Sequence, residues 1–456
     1  MNVNKFVLNT KSLMKLAYPI LIAQLVQTLM GFADTVMAGR VSPTDLAAVA
    51  IASSVWLPLV LTVFGLMMAL ASIVSQFAGA NKFEQAVKAT HQTGWIAAIL
   101  GLVFIGLFFV VAPIAESSID LEPTFKTLIF DYLGYIIWGA PGYFLYLVLR
   151  NFSEGLSHTK PTMIISLIGL LINIPANYIF IYGEFGVPAY GGAGCGIATA
   201  LVYWLMFVCT LVYTYFAKAF AHTPLFAKFY APSWSQIKNI LAIGVPISLS
   251  LLFEVSLFAV VAILLAPFGP TVVSSHQIAL NFSSIVFMVP LSLGMAVTIK
   301  VGFAVGKNSF EEAKEFCKYS VILGLLIAVF TAGLTLIFRT QVSQIYTNDI
   351  EVITLASSLM FLAALFQFSD AIQVISAGAL RGYKDTQAIL YITFFSYWVV
   401  GLTVGLILGL TDWIIPSMGA GGFWVGFISG LTLAAILLGW RLKIVQKRIE
   451  LAQVAA

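Results

Sequence analysis

Three carboxylates stand in the middle of long apolar runs: Asp34, Glu254 and Asp370. A charge at the centre of a bilayer costs about 2.5–3.5 kcal/mol on insertion scales, so each needs a partner, a proton, an ion or an aqueous cavity. Glu254 lies midway between Lys238 and Pro270, and Asp370 lies well inside the run between Glu351 and Arg381. Similar depth lets the two acids meet, and two acids in a low-dielectric site need a proton or a small cation between them. That is the chemistry of an ion carrier. Phe366, one turn before Asp370, could offer its ring to a cation, or be plain core. Asp34 sits closer to the end of its run, shortly before Arg40, with Gln27 on the same helical face. Asn173 and Asn177, one turn apart around Pro175, match its depth, and Pro175 leaves the Leu171 carbonyl without an amide partner. Carboxylate, amide and carbonyl oxygens are hard donors suited to a small cation, or else they hydrogen-bond one helix to another.

The elements that carry these groups follow from composition. Of 456 residues, 60% are hydrophobic and 9% charged, with a mean hydropathy of +0.99. A soluble domain carries about 25% charged residues. This composition excludes an ordinary cytosolic enzyme, a disordered chain and a nucleic-acid binder, and leaves a polytopic membrane protein. Runs long enough to cross a bilayer fall at 13–37, 45–75, 92–115, 127–149, 162–183, 190–216, 239–265, 271–298, 319–338, 352–379, 388–410 and 418–440. They are continuously apolar, which excludes a β-barrel. No cleavage signal follows Lys5, Lys11 and Lys15, so the first run is read as a retained span. One set of loops carries nearly all the Lys and Arg, Arg150 and Arg381 among them, and the other only Arg40, Lys126 and Arg339. That asymmetry predicts both termini in the cytoplasm and needs no nucleic-acid partner.

One constant shift along the chain superimposes the first half on the second. Lys11 and Pro19 fall on Lys238 and Pro246; Gly79, Asn81, Phe83 and Glu84 on Gly306, Asn308, Phe310 and Glu311; Gly155 and Thr159 on Gly382 and Thr386; Gly192 to Gly194 on Gly419 to Gly421. The expected fold is therefore all-α: twelve transmembrane helices in two six-helix lobes related by a pseudo-two-fold axis along the membrane normal. The first lobe is expected at 1–216, a cytoplasmic linker at 217–238 and the second lobe at 239–456. The same shift places Asp34 on Val261, Gln27 on Glu254 and Tyr143 on Asp370. The lobes share a scaffold, not an ion site. Such duplicated lobes are the usual architecture of secondary transporters.

No HExxH, GxSxG or Walker A motif occurs, so neither an enzyme nor an ATP-driven pump is expected. His276 opens a span and is expected at the interface; Gly401, Gly405 and Gly409 form a close-packing row. Cys195, Cys209 and Cys317 lack metal or redox spacing. Met30, Phe253, Phe287 and Met288 are candidates for a permissive apolar wall.

The stretches Met14 to Pro19, Gly31 to Thr35, Gly169 to Phe180, Gly194 to Thr199 and Leu380 to Asp385 resemble the MATE (multidrug and toxic compound extrusion) family, and within it the bacterial NorM-type branch. The resemblance runs over essentially the whole chain. It implies a cation-coupled antiporter of the bacterial inner membrane that exports cationic and aromatic drugs in exchange for Na⁺ or H⁺, with no other cofactor. Its partners would be small-molecule drugs, organic cations and the lipid bilayer, with no nucleic acid, and a monomer would suffice. The NorM-type cation site, for Na⁺ among other ions, maps onto Glu254 and Asp370; a first-lobe ion or substrate site maps onto Asp34, Asn173, Asn177 and Thr199. The sequence departs from relatives with aspartate at the position of Asn177 or tyrosine at that of Phe366. The competing reading is a lipid-linked oligosaccharide flippase of similar fold, which would line its cavity with several cations. Because no Lys or Arg is expected inside a span away from its ends, cationic or neutral cargo is favoured.

Overall fold

The computed structural model describes residues 3–455. Among these residues, twelve helices are long and apolar enough to cross a membrane: α1 (Asn4–Gly39), α2 (Pro43–Gly79), α3 (Phe83–Ser118), α4 (Pro123–Gly155), α5 (Lys160–Tyr182), α6 (Gly191–Phe216), α7 (Trp234–Phe268), α8 (Pro270–Gly306), α9 (Phe310–Tyr346), α10 (Ile350–Gly382), α11 (Thr386–Leu410) and α12 (Ala420–Ala452). All twelve expected spans are present, and no strand occurs among the described residues. Proline at N1 and side-chain caps start several of them, as with Ser42 on α2 and Asp349 on α10. Their outward faces are apolar: Leu102, Leu107 and Val110 of α3 are all more than half exposed. That is the reverse of a water-soluble surface and fits a hydrocarbon solvent.

The repeat is visible in the backbone. α2 and α8 start at Pro43 and Pro270 and end at Gly79 and Gly306; α3 and α9 start at Phe83 and Phe310. The turns between α2 and α3 and between α8 and α9 use the left-handed region at the same register, at Asn81 (φ 56°) and Asn308 (φ 59°), as do those after α4 and α10, at Ser157 (φ 67°) and Lys384 (φ 62°). Each pair is related by the shift that carries Lys11 to Lys238. Asparagine tolerates this conformation better than most residues, which accounts for its use at the first pair.

The chain divides into two compact units, one running from Ile22 to Gly244 and the other joining the residues up to Leu21 with those from Val245 onward. In the second unit, Phe6 meets Tyr319 edge-on at 5.7 Å and Lys5 pairs with Glu315 at 2.7 Å, which attaches the start of α1 to α9. The same unit has a core of Trp424, Phe427, Phe423, Phe366, Leu257 and Val261. In the first unit, Gln92 of α3 holds the segment before α7 by donating to the Ala231 carbonyl (2.9 Å) and accepting from the Ser233 amide (2.7 Å).

The expected glycine row is a helix contact. A Cβ on Gly426 of α12 would stand 2.5 Å from the Gly401 carbonyl oxygen and 2.7 Å from the Gly405 Cα, and one on Gly430 would stand 3.1 Å from the Gly401 Cα. Backbone meets backbone there, so only glycine fits. α11 also widens into a π-helical turn at Phe395–Gly401, a feature that often marks functional positions.

Several expected helix ends fall too early, and at two of them the difference matters. The fourth span runs past 149 to Gly155 and the tenth past 379 to Gly382. This draws Arg150 (1% exposed) and Arg381 (5%) into buried helix turns, so the expectation of no cation inside the spans is corrected. A charge at the edge of an apolar run reads as a helix end, but arginine can enter a helix interior when a partner or cavity receives its head. His276, expected at the interface, is fully buried, and its Nδ1 accepts from the Trp424 indole at 3.2 Å.

Candidate functional site

In the first half, the four named residues come together. Asp34 of α1 is buried, and both its carboxylate oxygens are met: Asn177 Nδ2 donates to Oδ1 at 2.6 Å and Thr199 Oγ1 to Oδ2 at 2.9 Å. The same Asn177 amide also donates to Asn173 Oδ1 at 3.1 Å. Asn173 and Asn177 share a face because they are one turn apart on α5. Leu171, whose carbonyl Pro175 leaves without an amide, is exposed and lies on the opposite face. Asn173 Nδ2 and Asn177 Oδ1 keep no partner.

This half also holds a second polar device that the sequence reading does not anticipate. Arg150 Nε donates to Glu154 Oε1 at 2.8 Å, its Nη2 donates to Gln24 Oε1 at 3.1 Å, and both charged side chains are at most 1% exposed. The i, i+4 spacing of Arg150 and Glu154 is the available signal. The expected helix end at 149 hides it by placing both residues in a loop.

In the second half, α10 presents Asp370, Gln373, Ala377 and Arg381 at helical spacing on one stripe. Gln373, Ala377 and Arg381 line a partly open cavity together with Ser250 and Glu254 of α7, Phe287 of α8 and Thr393 of α11. Asp370 is buried one turn beyond Gln373, within electrostatic range of Glu254. Tyr397, on the π-helical turn, is within range of both acids. The unmet hydrogen-bonding capacity here is large: Asp370 Oδ1, Gln373 Oε1, Tyr397 Oη, and Nε and Nη2 of Arg381 are buried without partners. Phe366 packs edge-on against Trp424 with ring centroids 6.2 Å apart and belongs to the core. Of the candidate wall residues, Phe287 lines the cavity, Phe253 packs against Phe394 and Met30 is buried in the first half.

The first-half counterparts of the two acids make the pairing concrete. Gln27 and Tyr143, which the repeat aligns with Glu254 and Asp370, meet directly, Tyr143 Oη donating to Gln27 Oε1 at 3.5 Å. The scaffold brings these two positions near each other in both halves. Neutral groups fill them in one and carboxylates in the other.

No cluster of three or more His, Cys, Asp and Glu side chains fit to hold a metal occurs among the described residues. Two carboxylates with a phenol and amide oxygens nearby form a donor set for one proton or one hard monovalent cation rather than a divalent-metal cage. Twelve spans built as a repeat, with acids and a cavity buried among them, define the class: a membrane transporter.

Comparison with known proteins names the kind of transporter. The family model MatE matches residues 19–179 and again 246–407, two copies whose starts differ by the same shift as the internal repeat. The chain is 51% identical to the probable multidrug resistance protein NorM of Shewanella oneidensis, over 97% of this chain and 96% of that one. It is 48% identical to the multidrug resistance protein MdtK of Yersinia pseudotuberculosis, over 97% of each. Its fold superimposes on a crystal structure of MATE in complex with MaL6 with a TM-score of 0.86, at 22% identity and 97% coverage of both chains. The chain belongs to the MatE family of transporters.

Proposed function

We propose that the chain is a secondary multidrug efflux antiporter that expels organic cations and other aromatic drugs in exchange for Na⁺ or H⁺. Relatives at about half identity, named as multidrug resistance proteins, support the cargo. The observation that carries the coupling is the pair Glu254 and Asp370, buried within electrostatic range of each other, with Asp370 Oδ1 unpartnered, beside a cavity. A bound ion or proton offsets their mutual repulsion and stabilises one arrangement of the helices; its departure stabilises another, and cargo moves between them. Asp34, Asn173, Asn177 and Thr199 form a first-half ion or cargo site that works alongside. The lobes are 1–216 and 239–456, linked by 217–238, acting as a monomer.

The excess of Lys and Arg in one set of loops orients both termini to the cytoplasm, in a bacterial inner membrane. A flippase for polyanionic headgroups would need several cations at the cavity, whereas Arg381 is the one Lys or Arg among the described lining residues.

The test is dye export by purified protein in proteoliposomes, driven in turn by an imposed Na⁺ gradient and an imposed pH gradient. Glu254→Gln and Asp370→Asn are expected to lower ion-driven export at least about ten-fold. Undiminished ion-driven export in both variants would overturn the coupling assignment.

A further inference from the structure

The segment between α6 and α7 carries charge of one sign. From Phe185 to Phe253 the chain has no Asp or Glu, and within 217–238 stand Lys218, Lys228 and Lys238. The segment is docked on α3: Gln92 holds the Ala231 carbonyl and the Ser233 amide, the Trp95 indole donates to the Tyr230 carbonyl at 3.2 Å, and the Tyr230 hydroxyl donates to Glu84 at 3.1 Å. Phe220 and Leu225 are buried and anchor it from within. All of these residues lie in the unit from Ile22 to Gly244. With the backbone fixed in this way, the side chains left outside form a defined face.

That face combines aromatic rings with cations. Phe229 and Trp234 are each 72% exposed, although Phe229 packs edge-on against both His91 and Trp95 of α3 with ring centroids 5.6 Å apart. Rings exposed where a span meets a loop suit the headgroup level of a bilayer better than bulk water. Beside Phe229, the ammonium groups of Lys88 and Lys228 stand against the same Tyr230 ring, 5.2 and 5.4 Å from its centre. One ring thus gathers a cation from α3 and another from the linker. Glu84 pairs with Lys88 at 3.0 Å, while Lys228 forms no ion pair among the described residues. The cluster keeps an excess of positive charge. Lys238, one turn after Trp234 on the same face of α7, is exposed as well.

We propose that this face is a binding surface for an anionic phospholipid, in which Lys88 and Lys228 take the phosphate of the headgroup while Phe229 and Trp234 enter the acyl boundary beside it. The proposal rests on the membrane orientation read above and adds a lipid partner to it. Charge complementarity selects the occupant, because each lysine near an anionic leaflet strengthens attachment about five-fold. A neutral lipid would meet the rings without using the lysines. A soluble phosphate would meet the lysines without using the rings. Only a lipid with a negative headgroup uses both, and its binding would hold the segment that joins the two repeats at the membrane surface.

The test uses full-length protein in vesicles of phosphatidylcholine mixed with phosphatidylglycerol. Tryptophan fluorescence is quenched by the brominated form of either lipid, and the part of the quenching that Trp234→Phe removes is the signal from this face. The readout is the preference for phosphatidylglycerol over phosphatidylcholine. Lys228→Gln is expected to lower that preference about five-fold, and Lys88→Gln/Lys228→Gln to lower it further. Phe229→Ser should weaken contact with both lipids alike and leave the preference in place. A preference absent from the wild type, or equal in the wild type and the double lysine variant, overturns the proposal. Where the variants do not fold, the wild type alone decides: high salt should erase the preference by screening, and a preference that survives it overturns the proposal. Inorganic phosphate displacing phosphatidylglycerol as readily as the lipid itself does would overturn a lipid as the occupant. No gradient or drug is present, so failure here leaves the antiport reading standing, and failure of the Glu254 and Asp370 assignment leaves the lipid preference to be decided by the lysines.

Discussion

The two halves of this transporter solve the burial of charge in opposite ways on one scaffold. In the first, both oxygens of Asp34 have donors, and Arg150 is clamped between Glu154 and Gln24. In the second, Asp370 Oδ1 and Nε and Nη2 of Arg381 have no partner and lie at or next to a cavity. The helix pairs α5–α6 and α11–α12 differ in the same sense. At the register where Thr199 donates to Asp34, the second half has Gly426, and where Asn173 and Asn177 stand, it has Val400 and Val404. Asp34 ties α5 and α6 together through side-chain hydrogen bonds from Asn177 and Thr199, whereas α11 and α12 meet backbone to backbone at Gly401, Gly405, Gly426 and Gly430. Duplication thus supplied one packing frame; both halves leave some buried polar atoms unmet, Arg150 Nη1, Glu154 Oε2, Asn173 Nδ2 and Asn177 Oδ1 in the first, and the difference is that Gln373 and Arg381, among those of the second, line a cavity.

The largest test of that contrast is in the arginines. Arg150→Met leaves Glu154 buried and unpaired and should destabilise the protein by about 3–5 kcal/mol, with most of it recovered in Arg150→Met/Glu154→Met. Thermal or denaturant unfolding of purified protein measures both, and Arg381→Met should cost far less, because it removes a guanidinium with two unmet donors. Equal costs at 150 and 381 would erase the distinction. Next, Asp34→Ala strands two buried donors, from Asn177 and Thr199, and should cost about 3 kcal/mol in the same assay. Gly426→Ala forces a Cβ against the α11 backbone and should cost about 2 kcal/mol, whereas Gly421→Ala, whose Cβ meets only the side chain of Met418 at 3.8 Å, should be close to neutral. The smallest effect on stability is expected at Asp370→Asn, which removes a buried carboxylate with an unmet oxygen. The melting temperature should hold or rise while ion-driven export is lost, and a clear fall would place Asp370 with the internally satisfied groups.

Much of this was legible in the residues. Twelve runs, a constant shift between the halves, and Asp34, Glu254 and Asp370 at depth follow from one-dimensional facts, since hydrocarbon admits few charges and every one is conspicuous. Asn173 and Asn177 could be matched to Asp34 by depth, and Thr199 by family resemblance. Arg150, Glu154 and Arg381 were not legible as buried groups, because a charge near the end of an apolar run looks the same whether it ends the helix or continues it. His276 failed for the same reason: its place in the chain resembled an interface, and Trp424, 148 residues away, helps to bury it.

The sequence alone therefore determined the solvent of this protein, its number of helices, their duplication and the depth of its acids, because these depend on composition and spacing along one chain. Only the tertiary structure decided which buried groups are already satisfied. A hydrogen bond depends on angstrom-scale distances between residues far apart in sequence, and here that difference separates the Arg150 clamp from the unpartnered Nε and Nη2 of Arg381.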